Sequence, residues 1–175
     1  MHRLFLLFVN LLLMGNISCA YSEEKEPEKF LNDWSAYLCY SVSGALDMQA
    51  FKNGEKLSKV SRDKGRLYTQ VSKGDTATVE VSYFAGFPLK IKSKPVLTID
   101  NVQKFLLYSH PEPKTSVDKS YAWSHPKDDK KLIDALKKGQ KAVVESYSHT
   151  GKVIKDTFAL SGFTASINFM KKKCK

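Results

Sequence analysis

Between Thr76 and Phe84 the chain alternates strictly. Ala77, Val79, Val81 and Tyr83 fall on one face, and Thr76, Thr78, Glu80 and Ser82 on the other. A period of two predicts a strand with one buried face. Similar runs at Arg66 to Val71, Leu89 to Lys92, Val96 to Ile99, Phe105 to Tyr108 and Tyr121 to Trp123 predict further short strands. Ser72-Lys73-Gly74-Asp75 and Asp100-Asn101 have turn composition, and Gly86-Phe87-Pro88 breaks the strand before it. Trp34 to Val42 reads as one strand, with Trp34, Ala36, Leu38 and Tyr40 on one face and Cys39 mid-strand on the other. Ser43 to Gly65 is rich in Lys and poor in apolar residues; it reads as a loop with at most a short strand near Leu57 to Val60. His110 to Lys119 contains two prolines and reads as an exposed loop.

The period changes at Asp128 to Lys138, where Leu132, Ile133 and Leu136 share one face. Asp128 and Asp129 suit a helix N-terminus, Lys137 and Lys138 its C-terminus, and Gly139 its end. Lys141 to Tyr147 and Val153 to Leu160 then predict a hairpin around Ser148 to Lys152. In the last stretch Phe163, Ile167, Met170 and Cys174 repeat at intervals of four, three and four, which is one face of a helix over about 163–173. Short strands every 8 to 12 residues with two helices predict an all-β sandwich or barrel.

Residues 1–20 read as an export leader. His2 and Arg3 precede the apolar run Leu4 to Met14, and Ser18-Cys19-Ala20 ends in small residues. The run is about half of the ~20 residues that a membrane crossing takes. Asn16-Ile17-Ser18-Cys19 also has the form of a lipoprotein signal, in which Cys19 would carry lipid, although Asn16 stands where Leu is usual. Residues 21–29 are polar and read as a tether, leaving 30–175 as one domain. With Cys19 removed or lipidated, Cys39 and Cys174 are the cysteines left to pair. An even count in an exported chain favours a disulfide, the alternative being two separately buried thiols.

Removing Arg3 with the leader leaves 27 basic residues against 18 acidic ones, a net charge of +9. Nearly all of it is Lys, a point charge without the fork that reads bases, and export also argues against nucleic acid. The charge favours anionic lipid, envelope polysaccharide or an acidic host-surface protein as a partner, unless it serves solubility alone.

Several pieces, in this order, resemble the invasion-associated locus B family of bacterial exported proteins. They are Trp34-x-x-x-x-Cys39, Val79 to Pro88 (VEVSYFAGFP), Ala122-Trp123, Leu132 to Gly139 (LIDALKKG), and Asp156 to Ala165 (DTFALSGFTA) followed by Cys174. The resemblance spans nearly the whole mature chain. It implies an immunoglobulin-like β-sandwich with a short amphipathic helix at about 128–138 and a C-terminal helix, placed in the periplasm or cell envelope. The founding member is linked to invasion of host red cells, and no catalytic residues are implied. Ser146 and Thr150, where a Gly and a basic residue are expected, and the basic tail from Lys171 to Lys175 depart from the pattern.

Candidate chemistry is sparse. His110, His125 and His149 all fall in predicted loops without the spacing of a zinc site. Ser61-x-x-Lys64 and Ser116-x-x-Lys119 match a nucleophile motif of low specificity whose companion elements are missing. Phe87 could be an exposed docking tip or an inward ring at a turn; Trp34 and Trp123 read as core; Lys171 to Lys173 either touch anionic lipid or complement the helix end. The expectation is therefore a non-enzymatic exported envelope protein without catalytic residues, metal or cofactor, contributing to host-cell invasion or association. The alternative is a periplasmic stress or chaperone-like factor that binds another envelope protein.

Overall fold

A computed structural model of the chain describes residues 26–72, 78–115 and 117–174. The leader, Cys19, Lys175 and most of the turn at Ser72 to Asp75 lie outside these residues. The described strands are β1 (Lys29–Leu31), β2 (Trp34–Ala36), β3 (Tyr40–Gly44), β4 (Asp47–Lys52), β5 (Glu55–Lys56) and β6 (Arg66–Val71). They continue with β7 (Val79–Phe84), β8 (Val96–Ile99), β9 (Gln103–Ser109), β10 (Tyr121–Ser124), β11 (Lys141–Tyr147) and β12 (Val153–Ala159). Helix α1 (Pro126–Lys138) sits between β10 and β11, and α2 (Phe163–Lys173) follows β12. The fold is all-β with two short helices.

All pairings are antiparallel, in the order β1-β2-β3-β6-β7-β10-β9-β8-β11-β12-β4-β5. Two places fold this order into two layers. In β9, Gln103 to Leu106 pair with β8, while Leu107 to Ser109 pair with β10. At the second place, β3 pairs with β6, the chain turns through Ala45-Leu46, and β4 pairs with β12. Ala45 N–H donates to the Gly65 carbonyl at 2.8 Å and Leu46 N–H to the Thr157 carbonyl at 2.7 Å, so the corner is bonded to both sheets.

Alternation sends Leu67 and Val71 of β6, Val81 and Tyr83 of β7, Leu97 and Ile99 of β8, and Val144 and Phe158 of β11 and β12 into one core. Tyr83 and Phe158 meet edge to face across the layers, 6.3 Å between centroids. Helix α2 lies against β2, β3 and β6. Its Phe163, Ile167 and Met170 are fully buried, with Phe163 5.0 Å from Trp34. Helix α1 begins two residues before the predicted start: the His125 ring caps it, accepting from Lys127 N–H at 3.2 Å, and Pro126 fills a position that needs no donor.

Three sequence expectations change. Trp34 to Val42 is a hairpin, because the chain turns at residues 37–39 with Tyr37 stacked on Tyr40 at 4.3 Å; Tyr40 faces outward and Cys39 lies in the turn. Alternation continues through a tight turn, so the pattern does not reveal it. The segment expected to be a loop contains β4 and β5, joined by Asn53-Gly54 with φ of 52° and 87°. Only Ala50 of β4 is fully buried, which explains its weak apolar signal. Leu89 to Lys92 contributes a single bridge, Leu89 to Ser148.

Candidate functional site

The outer face of the sheet formed by β3, β6, β7, β10 and β9 is unusually aromatic. Strict alternation puts Leu67, Thr69, Val81, Tyr83 and Ala122 inward, and it leaves Tyr68, Ser82, Phe84, Tyr121 and Trp123 on the outside, partly exposed. Register then decides what meets. Tyr68 is opposite Ser82, Ser82 is opposite Trp123, and Trp123 is opposite Tyr108, so these side chains stand in one row across four strands. The next row holds Arg66, Phe84 and Tyr121; the one on the other side holds Tyr40, Gln70 and Glu80.

Ser82 is small and its neighbours across the row are rings, so a trough forms above it. Tyr68 and Trp123 stand on the flanking strands, and Tyr121 stacks on Trp123 at 5.9 Å and lies 6.2 Å from Tyr68. The hollow is about 340 Å³; Glu80 and Asp118 also line it. Burial and the neighbouring Tyr68 hydroxyl push the Tyr121 phenol up to about 12, so it stays protonated. Partial burial, and then the Asp129 carboxylate, raise the Glu80 carboxyl above its ordinary value. Asp118 is held low by the Thr115 hydroxyl and by backbone donors. The Arg66 guanidinium lies over the Phe84 ring at 5.8 Å at the border of the trough. Stacking rings with a carboxylate at one end and a cation at the other can bind a ligand.

The residues singled out by sequence are dispersed. Cys39 and Cys174 are joined by a disulfide, with an S–S distance of 2.02 Å, which ties the β2–β3 turn to the end of α2. Trp34 is in the core, 1% exposed, whereas Trp123, read as core, is part of the outer trough. The reason is that β10 turns its small residues, Ala122 and Ser124, inward. His110 lies edge-on to Trp123 at 6.4 Å, His125 caps α1 and neighbours Tyr108, and His149 donates from Nδ1 to the Pro88 carbonyl at 3.1 Å. Phe87 packs against the core beneath the Arg62 guanidinium, 5.4 Å from its ring centre, and so is not a free tip. Lys171 to Lys173 are exposed in the last turn of α2. Ser61 is exposed beside a second hollow of about 220 Å³, lined also by Arg62, Phe87 and His149; Lys64 does not line it. Among the described residues no group of three or more His, Cys, Asp or Glu is placed to hold a metal ion, and no helix is long and apolar enough to cross a membrane.

A family model described as invasion associated locus B (IalB) protein matches residues 48–171, well over half of the chain. The chain belongs to the IalB family. Among solved structures, it is similar to the crystal structure of invasion associated protein B from Bartonella henselae, with a TM-score of 0.55 and 12% identity over 82% of this chain and 95% of that one. At that identity the likeness concerns the fold alone. No curated protein matches the chain. The IalB match begins within β4, so the β1–β3 segment and Cys39 stand outside it, and it ends at Lys171, short of Cys174.

Proposed function

We propose that this IalB-family chain is a non-enzymatic, exported protein of the bacterial envelope that binds a partner through the aromatic face of β6, β7 and β10 and contributes in this way to host-cell association. The observation that supports it is the outward cluster of Tyr68, Tyr121 and Trp123 around Ser82. Large rings left partly exposed side by side are the residues that dominate binding surfaces, because each contributes much contact area with few rotamers to fix. A chain folding only for stability gains more by turning such rings inward. The name of the Bartonella henselae protein, invasion associated protein B, lends the host-directed part of the reading its support.

The test uses the mature, disulfide-bonded chain and a Tyr121→Ala, Trp123→Ala variant, with binding to host cells and to bacterial envelope fractions measured for both. At least a roughly tenfold loss of host-cell binding in the variant, at an unchanged melting temperature, supports the reading. Equal host-cell binding by both proteins overturns it, and a loss confined to a periplasmic protein in the envelope fraction replaces it with the chaperone-like alternative. A phenotype abolished by alanine at His110, His125 and His149 in a folded protein would overturn the non-enzymatic part.

A further inference from the structure

The trough's charge runs against that of the chain. The full sequence carries +10, yet among the described residues the ionisable acids and bases that line the hollow are Glu80 and Asp118, beside the rings of Tyr40, Tyr68, Tyr121 and Trp123. Neither acid is in an ion pair among the described residues. Aromatic faces with a nearby carboxylate attract a cation, most strongly one that is weakly hydrated and large enough to touch several rings together. A primary ammonium fits this poorly, because it is compact and gives up its water reluctantly. A trimethylammonium group, with its charge spread over three methyls, suits both the rings and the small Ser82 floor.

The opposite charge is one row away. Arg66, exposed and held over Phe84 at 5.8 Å, is on the strand that carries Tyr68, two residues before it. A zwitterion lying along the sheet would thus meet Glu80 and rings at its cationic end and a guanidinium at its anionic end. Arg is the side chain best shaped to hold a phosphodiester.

We infer that the trough formed by Tyr68, Ser82, Tyr121 and Trp123 binds a phosphocholine-type lipid headgroup, with the quaternary ammonium among the rings beside Glu80 and the phosphate at Arg66. The inference rests on the preceding reading of this face as the binding surface and names its ligand.

The experiment follows tryptophan fluorescence of the whole mature protein. Trp34 is 1% exposed, so a soluble probe reports through Trp123. Choline and phosphocholine are expected to quench saturably, and the uncharged tert-butyl analogue of choline to bind roughly tenfold more weakly. Glu80→Gln should weaken choline about fivefold through loss of one nearby charge. Arg66→Ala should weaken phosphocholine and leave choline unchanged, and Ser82→Phe, which fills the floor, should abolish both. Phosphatidylcholine vesicles should bind at high salt.

Equal binding of the tert-butyl analogue, quenching by an oligosaccharide but not by choline, or vesicle binding confined to phosphatidylglycerol at low salt would each overturn the inference. If Tyr121→Ala, Trp123→Ala abolishes host-cell binding while choline neither binds nor competes, the ligand assignment falls and the binding face stands. If the variant binds cells normally, the face itself falls.

Discussion

Tyr83 of β7 donates a hydrogen bond to Oδ2 of Asp156 in β12 at 2.7 Å, joining the two layers through the middle of the core. The other carboxylate oxygen takes Arg62 in an ion pair whose side chains are 3% and 0% exposed. Arg62 also donates to the Ala85 carbonyl at 2.5 Å, while its Nε has no partner among the described residues. One polar cluster thus fixes the loop before β6 against both sheets. Gly65 belongs to it: a methyl there would overlap the Asp156 carboxylate.

Arg62→Met should lower stability by about 3–5 kcal/mol at neutral pH, since it strands a carboxylate that is buried for its whole length. The loss should itself depend on pH. Burial raises the Asp156 carboxyl above 3.8, and the Arg62 and Tyr83 donors only partly oppose this. Without Arg62 it rises further. A carboxyl that holds its proton more tightly in the folded state contributes stability that is complete below 3.8 and disappears as pH climbs through the folded value. The deficit of Arg62→Met relative to the parent should therefore grow between about pH 4 and pH 7. Urea unfolding of both proteins across that range checks it; a deficit that is flat or shrinks with pH would show that the charge of Asp156 is not what Arg62 balances.

The disulfide acts at a different level, since Cys39 and Cys174 are 135 residues apart and enclose nearly the whole fold. Closing so long a loop restricts the unfolded chain, and in the chain-entropy model that contributes about 5 kcal/mol, usually reduced by native strain. The Cys39→Ser, Cys174→Ser variant should lose about 3–5 kcal/mol in urea unfolding. Because Phe163, Ile167 and Met170 stay buried without it, the variant should still fold, with α2 showing the earliest loss of amide protection. Equal stability of the reduced and oxidised proteins would show that the Cys39–Cys174 bond contributes nothing to the fold's stability.

Where a segment's own pattern determined its state, the sequence was readable: β7, the β11–β12 hairpin and both helices lie close to their predicted positions because their periods are regular. The β4–β5 hairpin was not, since a single fully buried residue leaves little apolar signal; Asn53-Gly54 was the clue to it. The trough was hidden for another reason. Tyr68, Ser82 and Trp123 come from three strands, and their adjacency is a matter of register, which no local pattern carries. Even the assignment of Trp123 to the core follows from reading it alone; with Ala122 and Ser124 recognised as the inward set, its exposure follows.

Gly162 offers the sharpest test of the segment shared with the IalB pattern. It precedes α2 with φ of +89°, and a methyl on it would overlap the Leu31 carbonyl oxygen of β1. Asn32 meanwhile donates to the Ser161 hydroxyl at 2.9 Å, so β1 is held against this turn and cannot simply retreat. Gly151, in the β11–β12 turn, has a similar φ of +78° but open space around it. Gly151→Ala should therefore cost only the conformational term, about 1 kcal/mol. Gly162→Ala should cost that together with displacement of β1, about 2 kcal/mol or more, because the atom in the way is backbone. Urea midpoints of the two variants separate the terms. Equal losses would mean that β1 yields freely and that Gly162 is needed for its left-handed conformation alone.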